Sequence, residues 1–427
     1  MLTAISRYGP RVHPTTEQII AACRKRGEFT QGPQVAAFEE VFARRIGAGH
    51  AIASSYGRMA FYFILKALQL PAGSEIICPA LTFWGVPELA RVAGLTVRFA
   101  DVDPTTFCVD PVALERAITD RTRVIVPTHL YGLPCDMDAI LDIAGRHDLL
   151  VVEDCAHALG ATYRGRLVGT FGDGAFFSFQ TLKPLNAYGG GMAVVRDADV
   201  ARRVRAQVDA LPWPDEKRIS NKLLVGRLQR MFTRPRVFTF TGFPILWAAS
   251  CTNAQPDLYL WEKIQSLDPL PEDYTERMSN VQATLALASL DHLDQWTAET
   301  RSHARVMNAA LGDIPGVQVP AEPADRTHVY YQYCLYGPAR DGLVRHCIRR
   351  GVDVETLHVD VCTRLDLFER ERVAAPGADR AAQAIQVPVY ASLTDRQLRR
   401  VTKVVRRAIA RGAPIAPAAM PSKTEAS

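Results

Sequence analysis

Short apolar runs alternate with stretches of helical spacing from about residue 34 to residue 200. The apolar runs predict β-strands at residues 51–54, 75–78, 96–100, 123–127 and 149–153. Apolar positions three and four residues apart predict α-helices at 35–45, 59–68, 112–118 and 137–147. Strands that alternate with helices predict an α/β fold with a mainly parallel sheet covered on both faces. Ligands of such sheets bind at the carboxyl ends of the strands, where Asp154 directly follows the run LLVVE.

The pattern changes between residues 203 and 273. One side of a predicted helix is apolar, with Leu224, Val225, Leu228, Met231 and Phe232. The other side is basic, with Arg218, Lys222, Arg227, Arg230 and Arg234. The apolar segment 237–250 follows and is broken by Gly242 and Pro244. Beyond it, helices are predicted at 281–293, 296–310 and 395–410, strands at 330–335 and 386–389, and a disordered tail at 413–427.

Composition narrows the class of protein. The 427 residues suffice for two domains with a sizeable core. The net charge of +5 is too small to predict a nucleic-acid partner. Nine scattered cysteines include no C-x-x-C pair, so no zinc or other metal site is predicted, and their odd number suits a reducing cytosol. Without a signal peptide or a spanning apolar run, the chain is expected to be cytoplasmic.

The stretch from Val151 to Met192 combines the side chains that a pyridoxal phosphate enzyme requires. Asp154 ends one strand, Ser178 ends a second strand, and Lys183 follows five residues later, before a glycine triplet. A lysine amine forms the Schiff base with the cofactor, and a carboxylate keeps its pyridine nitrogen protonated. A hydroxyl beside backbone amides binds its phosphate.

Each of these residues also has a simpler interpretation. Lys183 on its own would be a surface lysine of a loop, and only its register with Asp154 and Ser178 favours catalysis. Asp154 could instead cap a helix that begins at Cys155. His157 could lie near the phenolic oxygen or over the face of the cofactor ring, or be a partly buried polar residue at a helix start.

The cofactor phosphate and ring have further candidate contacts upstream. Gly57 and Arg58 follow a strand and open a helix, so their amides are well placed to bind a phosphate together with the Ser178 hydroxyl. Phe83 or Trp84, in the word PALTFWG, could stack on the ring. Packing in the core is the alternative for both aromatic residues.

Taken together, these residues resemble the DegT/StrS family of sugar aminotransferases, which are pyridoxal phosphate enzymes of the aspartate aminotransferase fold type I. The similarity covers about residues 12–200 and 273–410. The matching words are GEFTQGPQVAAFEEVFA, SSYGRMA, CPALTFWG, FADVDPTTFCVD, THLYGLPCDMDAI, VVEDCAHALGATYRG, GDGAFFSFQTLK, GGGMAVV and RMSNVQATLAL.

The resemblance implies both the architecture and the residue roles. It implies a large cofactor-binding domain at 1–295 with a mainly parallel seven-stranded sheet, interrupted by an insertion at about 205–272. A smaller α+β domain would follow at 296–412. Lys183 would carry the cofactor as an aldimine and move the proton between the donor's Cα and the cofactor's C4′. The active unit would be a homodimer whose partner chain completes each site.

The chain departs from the family pattern at several positions. Thr275 replaces the usual Asn two residues before Arg277, a pair that reaches the cofactor phosphate from the partner chain. Arg58 replaces a Thr of the phosphate turn, and Gln180 replaces the usual His after Ser-Phe. Gly189 stands where the family usually has Glu. Lys183 argues against a sister group that removes a sugar hydroxyl and has His in place of the lysine.

Three functions are compatible with these residues. The family implies transfer of an amino group from glutamate to a keto-sugar linked to a nucleotide. A cyclitol ketone or a lipid-linked head group is an alternative acceptor, and a non-catalytic regulatory homologue is the third possibility. The insertion could cover the active site, widen the dimer interface, or contact a membrane surface peripherally through residues 217–250. The more ordinary expectation is that its apolar face packs on protein.

Overall fold

The computed structural model describes residues 3–9, 11–252, 263–356 and 358–411. Its strands are β1 (His50–Ser54), β2 (Glu75–Pro79), β3 (Leu81–Thr82), β4 (Thr96–Ala100), β5 (Thr122–Ile125), β6 (Leu150–Asp154), β7 (Thr162–Tyr163), β8 (Arg166–Leu167), β9 (Gly174–Ser178), β10 (Gly191–Val195), β11 (Arg326–Thr327), β12 (Tyr333–Leu335), β13 (Asp360–Val361) and β14 (Ile385–Val387). Its α-helices are α1 (Thr16–Lys25), α2 (Gln34–Ile46), α3 (Gly57–Ala67), α4 (Gly85–Val92), α5 (Pro111–Ala117), α6 (Met137–Arg146), α7 (Ala198–Asp209), α8 (Glu216–Thr233), α9 (Pro235–Phe240), α10 (Gly242–Thr252), α11 (Asn280–Leu290), α12 (Leu293–Leu311), α13 (Arg340–Arg349), α14 (Pro376–Ala381) and α15 (Asp395–Arg411).

The main sheet has seven strands in the order β1-β10-β9-β6-β5-β2-β4. All of its strands run parallel except β10, which is antiparallel to both neighbours. Several strands, such as β2 and β10, are buried along their whole length because helices cover both faces. The predicted α/β class with a mainly parallel sheet is therefore confirmed.

The parallel direction brings three strand ends to one edge of the sheet. Ser54 ends β1, Asp154 ends β6 and Ser178 ends β9. Asp154 pairs with Phe176 across β6 and β9, so the Asp154 and Ser178 ends are close neighbours. This edge is where the sequence predicts the ligand.

A separate apolar core lies in the C-terminal part of the chain. It contains residues of α12, α13 and α15 and of the pair β12–β14, and Ile5 from the N-terminal segment joins it. Ile5 also bridges to Val352. The division at residue 295 stays a prediction, and the predicted tail at 413–427 lies outside the described residues.

Helices α8, α9 and α10 make up most of the predicted insertion. The predicted basic, amphipathic helix is present as α8, but it buries Ile219, Leu223 and Gly226 against its own chain. Leu224 and Leu228, on the stripe expected to pack on protein, are exposed. Within its own chain α8 docks through a different face, so packing of the predicted stripe on protein stays a prediction. Within the described residues, no helix is long and apolar enough to cross a membrane.

Candidate active site

A cavity of about 460 Å³ opens at the carboxyl edge of β6 and β9. Segments near both ends of the chain contribute to its wall, from Tyr56 to Asp360. The predicted site residues that line it are Gly57, Arg58, Phe83, Trp84, Asp154, His157, Ser178, Gln180 and Lys183. The structure thus brings nine residues from four of the matching sequence words to one cavity.

Lys183 lies in the turn that follows β9, and its side chain reaches this cavity. Its backbone N–H donates to the carbonyl of Gln180 at 2.9 Å, which closes the turn. Its ammonium lies 5.2 Å from the centre of the Tyr331 ring. Its positive charge acts on both Asp154 and His157. The lysine therefore belongs to the cavity and not to an open surface loop.

Asp154 is buried at the end of β6, and burial raises the pKa of its carboxyl group. The backbone N–H of Ala156 donates to Oδ1 at 3.0 Å, and the charges of Lys183 and His129 oppose the rise in pKa. No helix begins at Cys155, where the chain makes a turn instead. The alternative that Asp154 caps such a helix is therefore wrong.

His157 stacks on Tyr331, with ring centres 4.1 Å apart and planes inclined by 25°. Burial, Lys183 and His358 lower the pKa of the imidazole well below its usual value, so the ring is neutral at physiological pH. Its Nδ1 atom is buried and has no hydrogen-bond partner among the described residues. A bound molecule could supply that partner, because a buried polar atom without one is costly.

The N-terminus of α3 approaches the end of β9 very closely. A Cβ atom on Gly57 would lie 2.7 Å from the Phe177 carbonyl oxygen and 2.8 Å from Ser178 Cβ. Only glycine fits here, which leaves the first amides of α3 and the Ser178 hydroxyl beside the cavity. The first amides of a helix have no acceptor within the helix, so this position suits a phosphate.

Arg58 is buried among aromatic rings. Its guanidinium lies 4.5 Å from the Tyr274 ring centre, 4.7 Å from that of Tyr56 and 5.6 Å from that of Phe83. Trp84 is also buried, and its backbone N–H donates to Asp360 at 3.4 Å. The cavity wall therefore contains the Arg58 cation and three aromatic residues, Tyr56, Phe83 and Trp84.

Thr275 and Arg277 lie away from the cavity of their own chain. Thr275 Oγ1 donates to the carbonyl of Glu272 at 3.0 Å. Arg277 donates to the carbonyl of Leu211 at 3.0 Å and stacks over Trp213 at 4.9 Å. Their predicted reach into a partner's site stays a prediction.

Helix α8 closes one side of the cavity, where Gln229 lines the wall. A Cβ atom on Gly226 would lie 2.2 Å from the Tyr188 ring, so this glycine lets α8 pack directly on the loop that carries Lys183. Lys222 joins α8 to the site, because its ammonium lies 3.1 Å from Asp273 and 4.5 Å from the Tyr56 ring centre. Part of the insertion therefore covers the candidate active site.

Besides Val359, three residues of the C-terminal part that carry polar groups line the cavity and were not predicted from the sequence. They are Tyr331, His358 and Asp360. The Tyr331 hydroxyl and His358 Nε2 are 3.0 Å apart, and His358 Nδ1 lies 3.4 Å from Glu355. Strand β13, which contains Asp360, pairs with β3 and so reaches the wall beside Phe83.

Burial raises the pKa of Asp360 to about 6. The folded-state pKa is then above the unfolded value, so the ionised carboxylate destabilises the fold above pH 6, and this penalty fades toward pH 4. We expect Asp360→Asn to raise the free energy of unfolding by about 1–3 kcal/mol above pH 7 and to leave it nearly unchanged near pH 4. Urea unfolding across this range measures the difference. Asp120→Asn, at an exposed site, is the control, and an equal gain at every pH would contradict the expectation.

A parallel sheet that presents a lysine, a buried carboxylate and a helix N-terminus to one cavity defines a fold type I transferase. The profile of the DegT/DnrJ/EryC1/StrS aminotransferase family matches residues 11–233 and 250–406. The chain belongs to this family, as the sequence words predict.

Curated relatives and a solved structure cover most of the chain. The chain is 42% identical to a putative L-glutamine:3-amino-2,3-dideoxy-scyllo-inosose aminotransferase of Streptoalloteichus tenebrarius, over 75% of this chain and 68% of that protein. It is 30% identical to the GDP-perosamine synthase of Caulobacter vibrioides, over 94% of this chain and 97% of that protein. The crystal structure of S. venezuelae DesV superposes with a TM-score of 0.75 and 27% identity, over 93% of this chain and 95% of DesV.

Proposed function

We propose that the chain is a pyridoxal phosphate-dependent aminotransferase that carries an amino group from glutamate to the keto group of a nucleotide-linked sugar. The observation that carries the proposal is that Lys183 and Asp154 converge on one cavity in a chain of an aminotransferase family. The similarity to a GDP-perosamine synthase supports a nucleotide-linked sugar as the acceptor.

The residues of the cavity fit pyridoxal phosphate. Asp154 offers a buried carboxylate, for which a protonated ring nitrogen is a suitable partner. His157 offers a buried Nδ1 atom without a hydrogen-bond partner among the described residues. Gly57 has no side chain, so the first amides of α3 lie close to Ser178, where they could bind a phosphate.

When bound, the cofactor supplies an electron sink that stabilises a carbanion at the donor's Cα. Asp154 would hold the proton on the pyridine nitrogen. Lys183 would hold the cofactor and move a proton between the donor's Cα and the cofactor's C4′. The pKa of His157 is lowered, so its imidazole is neutral. The imidazole would contact the cofactor ring either with its own face or through its Nδ1 atom.

We also propose that the active unit is a homodimer in the cytoplasm. Thr275 and Arg277, which do not line their own chain's cavity, would contact the cofactor phosphate of the partner. A reducing compartment is supported by the nine cysteines, all of which are free thiols. Light scattering of the purified protein measures the mass, and a monomer that is fully active would contradict the shared site.

The proposed reaction is tested by incubating the holoenzyme with glutamate and a panel of nucleotide-linked keto-sugars. We expect one acceptor to gain an amino group, detected by mass spectrometry, with 2-oxoglutarate formed in equal amount. Control reactions without acceptor measure how much 2-oxoglutarate is formed from glutamate when no acceptor is aminated. If glutamate leaves the absorption of the bound cofactor unchanged and no acceptor is aminated, the proposal is wrong.

A cyclitol ketone is the second candidate acceptor. It is favoured by the relative that is 42% identical, whose name specifies an amino-dideoxy-scyllo-inosose and L-glutamine. The two candidates separate when keto-inositols and nucleotide keto-sugars compete in one assay, with glutamate or glutamine as donor. Amination of the keto-inositol alone would replace the first candidate with the second.

A further inference from the structure

The outer surface of α8, α9 and α10 is apolar and faces away from the chain. On α8 it consists of Leu224, Val225, Leu228, Met231 and Phe232. It continues with Phe240, Ile245 and Trp247 on α9 and α10. These eight side chains are between 39 and 71% exposed, and we call them the outer apolar face. Clustered exposed apolar side chains of this kind mark an interaction site.

The outer apolar face is not the side by which these helices pack on the protein. Helix α8 packs through Ile219, Leu223 and Gly226, which lie on the opposite side of the helix from Leu224 and Leu228. Helices α9 and α10 pack through Phe238 and Leu246, which join a small core with Ala4 and Ile348. The three helices are thus held on the protein by these buried residues, and the outer apolar face remains exposed.

Two exposed cations adjoin the outer apolar face, whereas Arg218, Lys222 and Arg227 lie on the other side of α8 in ion pairs with acidic residues. Residues 216–252 contain seven lysines and arginines and a single acidic residue, Glu216. Arg234 and Arg236, between α8 and the middle of α9, are exposed beside Phe232 and Phe240 in the sequence. Helix α13, which packs on α10, ends at the exposed Arg349, and the exposed Arg350 follows it. The surface therefore combines apolar side chains with the exposed cations Arg234 and Arg236.

We propose that the outer apolar face lies on the surface of an anionic phospholipid bilayer. Helices with an apolar side and many basic residues bind in the interface of such membranes, and aromatic residues favour the headgroup level. Trp247 and Phe232 would enter the boundary between headgroups and acyl chains, while Arg234 and Arg236 would meet the phosphates.

A second copy of the chain fits this surface less well. A twofold interface would place the same patch on both sides, so the exposed Arg234 and Arg236 of the two copies would be brought together. Residues 234–249, which include α9 and most of α10, also lie outside the part of the chain that matches the aminotransferase family. The part of the surface on α9 and α10 is therefore an addition to the matched family sequence, while the part on α8 lies within residues 11–233.

The proposal is tested by sedimentation of the holoenzyme with vesicles of phosphatidylcholine, with or without phosphatidylglycerol. We expect the wild-type protein to sediment with the anionic vesicles and much less with the neutral ones. The variant Leu224→Gln/Leu228→Gln/Phe232→Gln should lower the partition coefficient by about tenfold or more. Arg234→Gln/Arg236→Gln should weaken binding to the anionic vesicles only, and added salt should do the same.

A matched control replaces three apolar side chains that are equally exposed elsewhere. Val112→Gln/Val306→Gln/Val373→Gln alters residues that are 57, 46 and 45% exposed, and it should sediment like the wild type. A second measurement does not depend on this variant's folding: bromine-labelled acyl chains should quench the wild-type tryptophan fluorescence more strongly than that of Trp247→Phe.

Two results would overturn the proposal. In the first, the wild-type protein stays in the supernatant with both kinds of vesicle, or its fluorescence is not quenched. In the second, the Leu224, Leu228 and Phe232 substitutions halve the native mass in light scattering without changing sedimentation, which would assign the face to a second copy of the chain.

Discussion

Lys183→Ala lowers turnover by about 1,000-fold or more, because it removes the amine that would hold the cofactor and move the proton. The side chain lies in the cavity beside Tyr331, and its charge acts on Asp154 and His157. The expected loss is in kcat, measured with glutamate and the keto acceptor that the wild-type enzyme aminates. The absorption spectrum of the bound cofactor should also change, since the lysine no longer holds it.

The control for this prediction is Lys66→Ala, which removes an exposed lysine from the last turn of α3. It should retain wild-type turnover. Added methylamine should restore part of the activity of Lys183→Ala, which a misfolded protein would not show. Turnover within tenfold of the wild type in Lys183→Ala would exclude Lys183 as the catalytic amine.

The positions of Asp154, Ser178 and Lys183 could be predicted because each lies within a few residues of a strand end. Strands β6 and β9 are short apolar runs that are easily recognised, and parallel strands bring their carboxyl ends to one edge. Gly57 follows the same rule at the end of β1. Local sequence and one topological rule therefore suffice for this half of the site.

Tyr331, His358 and Asp360 could not be predicted in this way. They come from the C-terminal part of the chain, and no motif near them indicates a ligand. Asp360 reaches the cavity only because β13 pairs with β3, a contact between strands of two residues each that are far apart in sequence. Such pairings depend on the packing of the whole chain and not on a local pattern.

Helix α8 shows a second limit of the sequence pattern. Its apolar residues occupy two faces, so the pattern does not tell which face meets the protein. The pattern predicts that the face around Leu224 and Phe232 packs on protein, whereas within its own chain the helix packs through Leu223 and Gly226. The reason is steric, because Gly226 fits against the Tyr188 ring where a larger side chain would clash. Close contact with the lysine loop therefore determines the orientation.

Asp154→Asn is expected to lower kcat by about 100- to 1,000-fold, the usual effect of removing one buried electrostatic contact from a reacting group. The amide has the shape of the carboxylate and can still accept the bond from Ala156, but it cannot hold a proton on a ring nitrogen. Burial raises the pKa of Asp154, so its ionised form depends on a positive partner in the cavity.

The effect of Asp154→Asn is measured as kcat for both half-reactions. The matched control is Asp173→Asn, which changes a partly exposed aspartate that precedes β9. A proton on the nitrogen matters only during chemistry, so the KM for the acceptor should change little. A change in KM with an unaltered kcat would assign Asp154 to substrate binding instead.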